Sequence, residues 1–570
     1  MRLSISKSKN STSLYVIKSI YNNGVHSSKV VERLGTVNEL SKKLNGEDPI
    51  EWAKRYVNEL NLKEKEGTRE IMVKYSPSKV ITKDEQHFFN GGYLFLQQIY
   101  HQLQLDKLCK RISKKYKFTF NLNSILSRLV YARIIYPSSK LATCQLSTRF
   151  IEQPDFKLQH IYRALEIFAK ETDLIQSSLY NNSVKLSKRN TGVLYYDCTN
   201  YFFEIEYENG CKQYGISKEH RPNPIVQMGL FIDGDGIPLA FNINAGNTNE
   251  QVTLKPLEER ILSDFELSRF IVCTDAGLSS QDNRIFNTKG ARAFITTQSI
   301  KNLKAHLREW SLDPKGWSLI DDCKTYDISK LDEKKYEDKV FHKERWIKEN
   351  GLEQKLIVTY STKYRDYQRN IRNSQIERAQ RLIDSNPGKL KKSNPNDYKR
   401  FITETHCTCE GEVAEHKIHT INTELISKEA AFDGFYAVCT NLEDDAAEII
   451  KINKRRWEIE ECFRILKSEF KARPVYLSRD DRIKAQFTAC FIALVIYRLL
   501  EKKLNDKYTF HEIISGLRDM NFLEVKGEGY IPTYTRSDFT DDLHEAFGFR
   551  TDYQIVSTRQ MKEILKSTKS

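Results

Sequence analysis

Two aspartates and a glutamate stand where their side chains can meet. Asp197 ends the apolar run VLYY and Asp275 ends RFIVCT, and the ends of sheet strands are where ligands usually sit. Glu460 lies in NKRRWEIEECFRILKSEF, which reads as one helix. At about 100° per residue, with Arg456 set to zero, Glu460 falls at about 40° and Lys467 at about 20°. Ile459, Phe463, Leu466 and Phe470 gather between roughly −20° and −80°. Arg456, Glu460 and Lys467 thus form a row along the margin of the buried stripe, and the carboxylate faces whatever the sheet presents. Carboxylates of this kind suit hard, oxygen-seeking cations. An ordinary ion pair between Arg456 and Glu460, spaced i,i+4, would produce the same row.

The elements that must position these groups follow from the change of period along the chain. After Thr191, VLYYDCTNYFFEIE, IVQMGLFI and IPLAFNIN read as strands, the last two separated by the turn Asp233-Gly234-Asp235-Gly236. A helix near 251–263, the strand RFIVCTDA, another helix and the strand ARAFITTQ come next. Three strands in hairpin order followed by helix, strand, helix and strand make a mixed α/β sheet covered by helices, the order of the ribonuclease-H-like fold. The stretch from about 300 to 430 interrupts it with the strands KLIVTYS, KRFITET and EHKIHTIN and a basic helix near 363–385. Within 361–400, eleven Lys or Arg face four acids, which suits either a nucleic-acid-facing insertion or a charged surface arm. FDGFYAVCTN resumes the sheet near 432–441, and helices around 443–472 and 483–504 close it.

Ahead of this domain, residues 12–35 hold two alternating stretches around Asn22-Asn23-Gly24, a hairpin signal. From about Gly91 to Lys188 the spacing is helical, as in FLQQIYHQLQLDKLCKRI and LNSILSRLVYARII. Lys107, Lys110, Arg111, Lys114, Lys115, Lys117, Arg128, Arg133 and Lys140 gather there, a pattern that suits a nucleic acid backbone or a solvated helical face. The expected layout is therefore an N-terminal hairpin and helix (1–88), a helical, nucleic-acid-binding region (89–190), the α/β catalytic domain (191–300 and 431–505), a β-rich, basic insertion (301–430) and a C-terminal tail (506–570).

Composition agrees with such a partner: 90 Lys and Arg against 76 Asp and Glu give a formal charge of +14. The most apolar run, Phe487 to Leu500, is shorter than the roughly 18 residues of a transmembrane helix and reads as a core helix. The N-terminus has no apolar leader core, so a cytoplasmic protein without a membrane partner is expected. Eleven cysteines lack the spacing of a disulfide framework and read as reduced thiols. His406, Cys407, Cys409, His416 and His419 are zinc-ligand types, yet their spacing departs from the usual zinc patterns and favours strand residues beside a hairpin.

Arg456-x3-Glu460-x6-Lys467 resembles the last catalytic block of the bacterial insertion-sequence DDE transposases, Y-x2-R-x3-E-x6-K. YYDCTNYFFE resembles that family's first block and IVCTDAGL its second, and SKEHRPNPIVQMGL, AGNTNEQVTLKP and RIKAQFTACFIALVIYRLLEKKL read like family segments. Asn453 stands where the block has Tyr, and Gln486 where a His is expected. The resemblance implies an enzyme that cuts the ends of an insertion sequence and joins them to target DNA. Asp197, Asp275 and Glu460 would be the catalytic metal ligands, holding two Mg²⁺ ions, with Mn²⁺ able to substitute, about 4 Å apart around a scissile phosphate. Arg456 and Lys467 would neutralise phosphate oxygens, and Trp457, unless it is a core residue, would stack on an unpaired base. The implied partners are double-stranded DNA, as terminal inverted repeats and target, and a second copy of the chain on paired ends. A nuclease that cleaves without joining and an inactive, DNA-binding descendant are the alternatives.

Overall fold

The structure, a computed structural model, describes every residue except 9–10, 23–24, 45–46, 68–70, 72–75, 320–321, 323, 386–396 and 408–415. The chain divides into two compact units. One comprises Met1–Phe89, Asn521–Arg536 and Phe549–Lys566; the other comprises Asn90–Met520, Ser537–Gly548 and Ser567–Ser570.

In the first unit the alternating N-terminal residues form the expected hairpin. β2 (Thr12–Asn22) and β3 (Val25–Thr36) pair antiparallel, and β1 (Arg2–Lys7) adds a third strand beside β2. The turn residues Asn23 and Gly24 lie outside the described residues. Thr36 and Glu39 form a capping box that starts α1 (Val37–Lys43); α2 (Pro49–Gly67) follows, and Leu14, Leu40 and Ala53 make a small core. β4 (Phe88–Asn90) ends this stretch.

The second unit begins with the expected helices, α3 (Tyr93–Gln102), α4 (Leu105–Ser113), α5 (Leu122–Ile135), α6 (Lys140–Leu146), α7 (Leu158–Lys170) and α8 (Thr172–Leu186). Three of the basic residues expected to face nucleic acid do not. Arg128, Arg133 and Lys140 are only 5–6% exposed. The Arg128 guanidinium lies near the Tyr93 and Phe150 rings and donates to the Glu152 carbonyl at 2.7 Å. Arg133 donates to the Phe470 carbonyl at 2.9 Å. The exposed cations are Lys107, Lys110, Arg111, Lys114, Lys115 and Lys117, on α4 and just beyond it.

The sheet is built from β5 (Val193–Phe202), β6 (Ile225–Asp233), β7 (Pro238–Ala245), β8 (Ile271–Thr274) and β9 (Ala293–Gln298), with α9 (Leu254–Asp264) and α10 (Gln281–Phe286) between them. β5, β6 and β7 run antiparallel in hairpin order, whereas β8 pairs parallel to β5 and β9 parallel to β8. After α11 (Ala305–Leu312) come β10 (Trp317–Leu319), β11 (Thr325–Tyr326), β12 (Phe341–Glu349) and β13 (Leu352–Tyr360). These strands of the 301–430 stretch extend the main sheet through β16 (Phe435–Thr440), giving ten strands in the order β11-β10-β12-β13-β16-β9-β8-β5-β6-β7. The reason is apolar: Leu356, Val358 and Tyr360 share a core with Phe294, Ala437 and Cys439. Among the described residues, α12 (Thr362–Asp384), β14 (Ile402–Cys407), β15 (His416–Ile421) and α13 (Thr423–Ala430) stand apart, around Ala379, Phe401 and Ile402. Of the suspected zinc ligands, His406, Cys407, His416 and His419 fall on the paired strands β14 and β15, and Cys409 lies outside the described residues.

α14 (Ala446–Lys454), α15 (Trp457–Arg464) and α16 (Asp480–Lys503) cover one face of the sheet. α16 is long and apolar enough to cross a membrane, but 94% of its most apolar window is buried inside the protein, as a core helix requires. The expected C-terminal tail holds ordered elements instead: α17 (Phe510–Asp519), β17 (Asn521–Val525), β18 (Gly529–Pro532), α18 (Asp538–Phe547), β19 (Val556–Ser557) and α19 (Thr558–Ser567). Its short strands form a sheet in the order β19-β18-β17-β4, a pairing over some 430 residues of chain that no local pattern announces.

One buried ion pair fastens the β6–β7 turn. Arg189 and Asp233, whose side chains are 1% and 0% exposed, meet at 2.6 Å, and Arg189 also donates to the Ile237 and Pro238 carbonyls at 2.9 and 3.0 Å. Arg189→Met strands the Asp233 carboxylate, a loss of about 3–5 kcal/mol for pairs of this kind. Urea unfolding should report a destabilisation of that order, and a change below about 1 kcal/mol would mean that the turn carries its own stability.

Candidate active site

β5 and β8 pair in parallel with Tyr196 opposite Thr274. The next residues on the two strands are Asp197 and Asp275, which therefore emerge on neighbouring strands about 4.8 Å apart. β8 stops here while β5 continues to Phe202. Alternation along β5 sets the direction of each side chain. Tyr196 and Cys198 join the core with Leu254, Leu257 and Ile261 of α9. Tyr195, on the opposite face, donates its hydroxyl to the Ile452 carbonyl of α14 at 2.8 Å, and Tyr201 packs on Phe487 of α16. Asp197 shares that second face, toward the helices that carry Glu460.

Asp197 Oδ1 accepts the Cys198 N–H at 2.7 Å, and Asp275 Oδ1 accepts the Ala276 N–H at 2.8 Å. Arg456 joins the second and third acids: its Nη2 lies 3.7 Å from Asp275 Oδ1 and 3.8 Å from Glu460 Oε1. Burial works against the Arg456 charge, but Asp275, Tyr436 and Asp197 hold its pKa above the usual value. Burial pushes the Asp197 carboxyl up to about 6, against the pull of Lys218, the Cys198 N–H and Arg456, and Asp275 adds like-charge repulsion. Lys467, with Nζ 5.9 Å from the Tyr201 ring centre, is lowered to about 8 by burial and by Lys218, while Asp197 opposes that fall. Five of the six residues singled out in the sequence thus form one electrostatic cluster.

The helix that carries them is not the single regular one expected. α14 ends at Lys454, Arg456 precedes α15, and Ile465–Glu469 wind as a π-helix closed by the Phe470 N–H on the Ile465 carbonyl at 2.8 Å. The i,i+4 relation of Arg456 and Glu460 survives because both lie at the start of α15. Lys467 is placed by the wider π turn, a feature often found at functional sites. Trp457 is 57% exposed, which overturns the reading of it as a core residue. With Arg456, Glu460, Tyr364 and Tyr436 it lines a cavity of about 390 Å³.

Buried polar ties hold α14 and α15 in place. Glu458 pairs with Arg498 of α16, and Arg498 Nε donates to the Gly236 carbonyl at 3.0 Å. Gly236 has φ +78°, and a Cβ there would meet Arg498 Nη2 at 2.3 Å and Glu458 Oε2 at 2.4 Å, so this turn needs glycine on both counts. Asn453, where the resemblance expects Tyr, is buried and donates to the Tyr436 hydroxyl at 3.1 Å; the Cys273 thiol donates to the Asn453 side-chain oxygen Oδ1 at 3.6 Å. Gln486, where His is expected, is buried too and accepts from Arg133 at 3.4 Å and from Lys140.

Lys218 is the site residue that sequence reasoning passed over. It stands in the irregular segment between β5 and β6, donates to the Cys198 carbonyl and lies 3.2 Å from Glu250. Its quoted segment, SKEHRPNPIVQMGL, was the only signal, because a loop has no period to expose an inward side chain. Since Lys218 lowers the Asp197 pKa, Lys218→Met should raise it further. A ¹³C-carboxyl titration of aspartate-labelled protein, assigned with Asp197→Asn, should show the Asp197 midpoint above about 6, so that its charge is lost at a higher pH as pH falls. An unmoved midpoint would remove Lys218 from the site.

The transposase DDE domain model matches residues 207–496, half of the chain. The matched segment contains Asp275, Arg456, Trp457, Glu460 and Lys467, while Asp197 lies ahead of it. No curated protein sequence matches the chain. Among solved structures, a cryo-EM structure of a piggyBac transposase synaptic complex with hairpin DNA is similar at 8% identity, with 84% of each chain covered and a TM-score of 0.35. By the domain that spans half of its length, the chain belongs to the transposase DDE domain family.

Proposed function

We propose that the protein is an insertion-sequence transposase that cleaves its element's ends and joins them to target DNA, with a ribonuclease-H-like catalytic domain. The observation that carries this reading is the parallel pairing of β5 and β8, which sets Asp197 beside Asp275, with Arg456 linking Asp275 to Glu460. The sheet order β9-β8-β5-β6-β7, antiparallel among β5 to β7 and parallel from β5 to β9, supports the fold assignment.

The donor set fits divalent metal ions: three carboxylates, hard oxygen ligands, of which Asp275 and Glu460 have side chains 47% and 64% exposed and open to a ligand. Asp197 would hold both of two Mg²⁺ ions, and Asp275 and Glu460 one each; Mn²⁺ suits the same oxygens. Bound there, such ions activate the attacking oxygen and offset charge on the leaving 3′ oxygen. Arg456 and Lys467 neutralise the non-bridging oxygens of the scissile phosphate. Trp457 stacks on an unpaired base next to the cut. Water attacks first and releases a 3′-hydroxyl, whose oxygen then attacks a target phosphate and displaces the target strand's own 3′ oxygen. The exposed cations of α4 and its flank hold the duplex backbone.

Asp197→Asn, Asp275→Asn and Glu460→Gln should each abolish Mg²⁺-dependent cleavage of end-containing DNA and leave end binding nearly unchanged, since each removes a ligand and little packing. Near-normal cleavage by any of the three would sink the assignment, and cleavage by the intact protein without joined products would make it a nuclease.

Moving an element requires both ends to be cut and joined together, so the active assembly is a homodimer on paired ends, in keeping with the common two-fold assemblies. Analytical centrifugation with end DNA should give two chains and two duplexes per complex. A complex of one chain and one duplex that still performs strand transfer would rule this out.

A further inference from the structure

Arg133 and Lys140 were expected on a DNA-facing surface, and their burial poses a problem in electrostatics. Buried charges are normally paired with an opposite charge. These two cations have no carboxylate partner among the described residues. Arg133 donates to the Phe470 and Ser138 carbonyls at 2.9 and 3.3 Å, and both cations donate to one neutral acceptor, Gln486 Oε1. Burial and the Arg133 charge lower the Lys140 ammonium to about 7, a mark of a cation without its counter-ion.

Both side chains line a cavity of about 340 Å³. Lys471, Arg473, Ser138 and Tyr476 are also in its wall, and none of its lining residues is acidic. Arg473 pairs with Glu219, which lies outside the lining. A cavity with four cations and no acid selects an anion, and a phosphate group accepts from ammonium and guanidinium donors at once. The cavity also adjoins the strand that carries Asp197. Its residue Val475 donates its N–H to the carbonyl of Phe202 at 3.2 Å, and Phe202 lies five residues beyond Asp197 on β5. At about 3.3 Å per residue that is about 16 Å, on the order of five nucleotide steps along a strand.

We propose that the cavity bounded by Arg133, Lys140, Lys471 and Arg473 is a phosphate site separate from the Asp197, Asp275 and Glu460 cluster, and that it holds a backbone phosphate of the DNA a few nucleotides from the cut. The choice of DNA as the source rests on the proposed function; the phosphate chemistry does not.

Two arms separate these sources in the full-length protein. In the first, inorganic phosphate is titrated against chloride at constant ionic strength while Tm is followed. Wild type should show a saturable rise that Lys140→Met lacks, because a ligand that binds only the folded state stabilises it. In the second, the affinity for end-containing duplex is measured across salt concentrations. Lys140→Met should bind about tenfold more weakly, with a salt slope smaller by about one phosphate contact. Lys471→Ala, on the exposed rim, tests both arms if Lys140→Met fails to fold. Changes in both arms support the DNA phosphate. A change in the phosphate arm alone supports the site and assigns it to free phosphate, and would stand even if the protein cut no DNA. If wild type and both variants respond alike to phosphate and to DNA, the proposal is overturned.

Discussion

The parallel pairing of β5 with β8 is the constraint on which the rest of the site depends. It places two carboxylates on adjacent strands, where like charges disfavour one another's ionisation. The neighbouring elements supply what such a pair needs. Arg456 reaches Asp275 and Glu460, and Lys218 and Lys467 add positive charge around Asp197. These three cations come from the segment before α15, a loop between β5 and β6 and a π turn, so no single element could have built the site. The acids are also differently placed: Asp197 is held up by burial, whereas Asp275 and Glu460 reach toward solvent. A half-buried anchor with two accessible partners can open to a ligand without rebuilding the sheet.

Holding the third acid is a separate problem, because α15 is only eight residues long and a helix so short has little stability of its own. It is fastened from beneath. Glu458, two residues before Glu460, is pinned by Arg498 of the long core helix, and Arg498 in turn grips the Gly236 turn between β6 and β7. The apolar bulk of α16 is thereby put in register with the edge of the sheet that carries Asp197 and Asp275. Glu460 can remain exposed because its neighbour bears the structural load, a division that fits the burial of Glu458 and the exposure of Glu460.

Much of this was legible in the sequence, for reasons that also mark the limits. Asp275 could be placed because it follows the short apolar run that ends β8, and a strand end is a local property; Asp197, read in the same way, stands inside β5, which runs on to Phe202, and its inward direction comes from the alternation of that strand. Arg456 and Glu460 could be paired because i,i+4 neighbours meet whether or not the helix continues. The π turn was invisible, since the apolar spacing of Ile459, Phe463, Leu466 and Phe470 stays helical through it, and the break before α15 was invisible, since NKRRWEIE contains no Gly or Pro to mark it. Trp457, left open between a core and a surface role, proved exposed. Lys218 was missed because a loop residue's direction is set by tertiary contacts alone. The joining of β10 to β13 to the main sheet, and of β17 to β19 with β4, depends on pairings between distant segments.

The basic character of the chain shows most clearly how burial sorts residues that look alike in a sequence. A formal charge of +14 treats Lys110 and Lys140 as equals, and both stand in the same helical stretch. Lys110 lies on the open face of α4, screened by water and salt, where it adds to a long-range attraction for any polyanion. Lys140 has lost most of its water and leans on one amide oxygen, so its charge carries a desolvation cost that a diffuse field does not relieve. A contact at bonding distance would. The first kind of cation raises the rate at which an anion arrives; the second favours an anion held in direct contact. Attracting a polyanion from a distance and binding an anion at contact are different demands. The two environments of lysine within one region answer them separately.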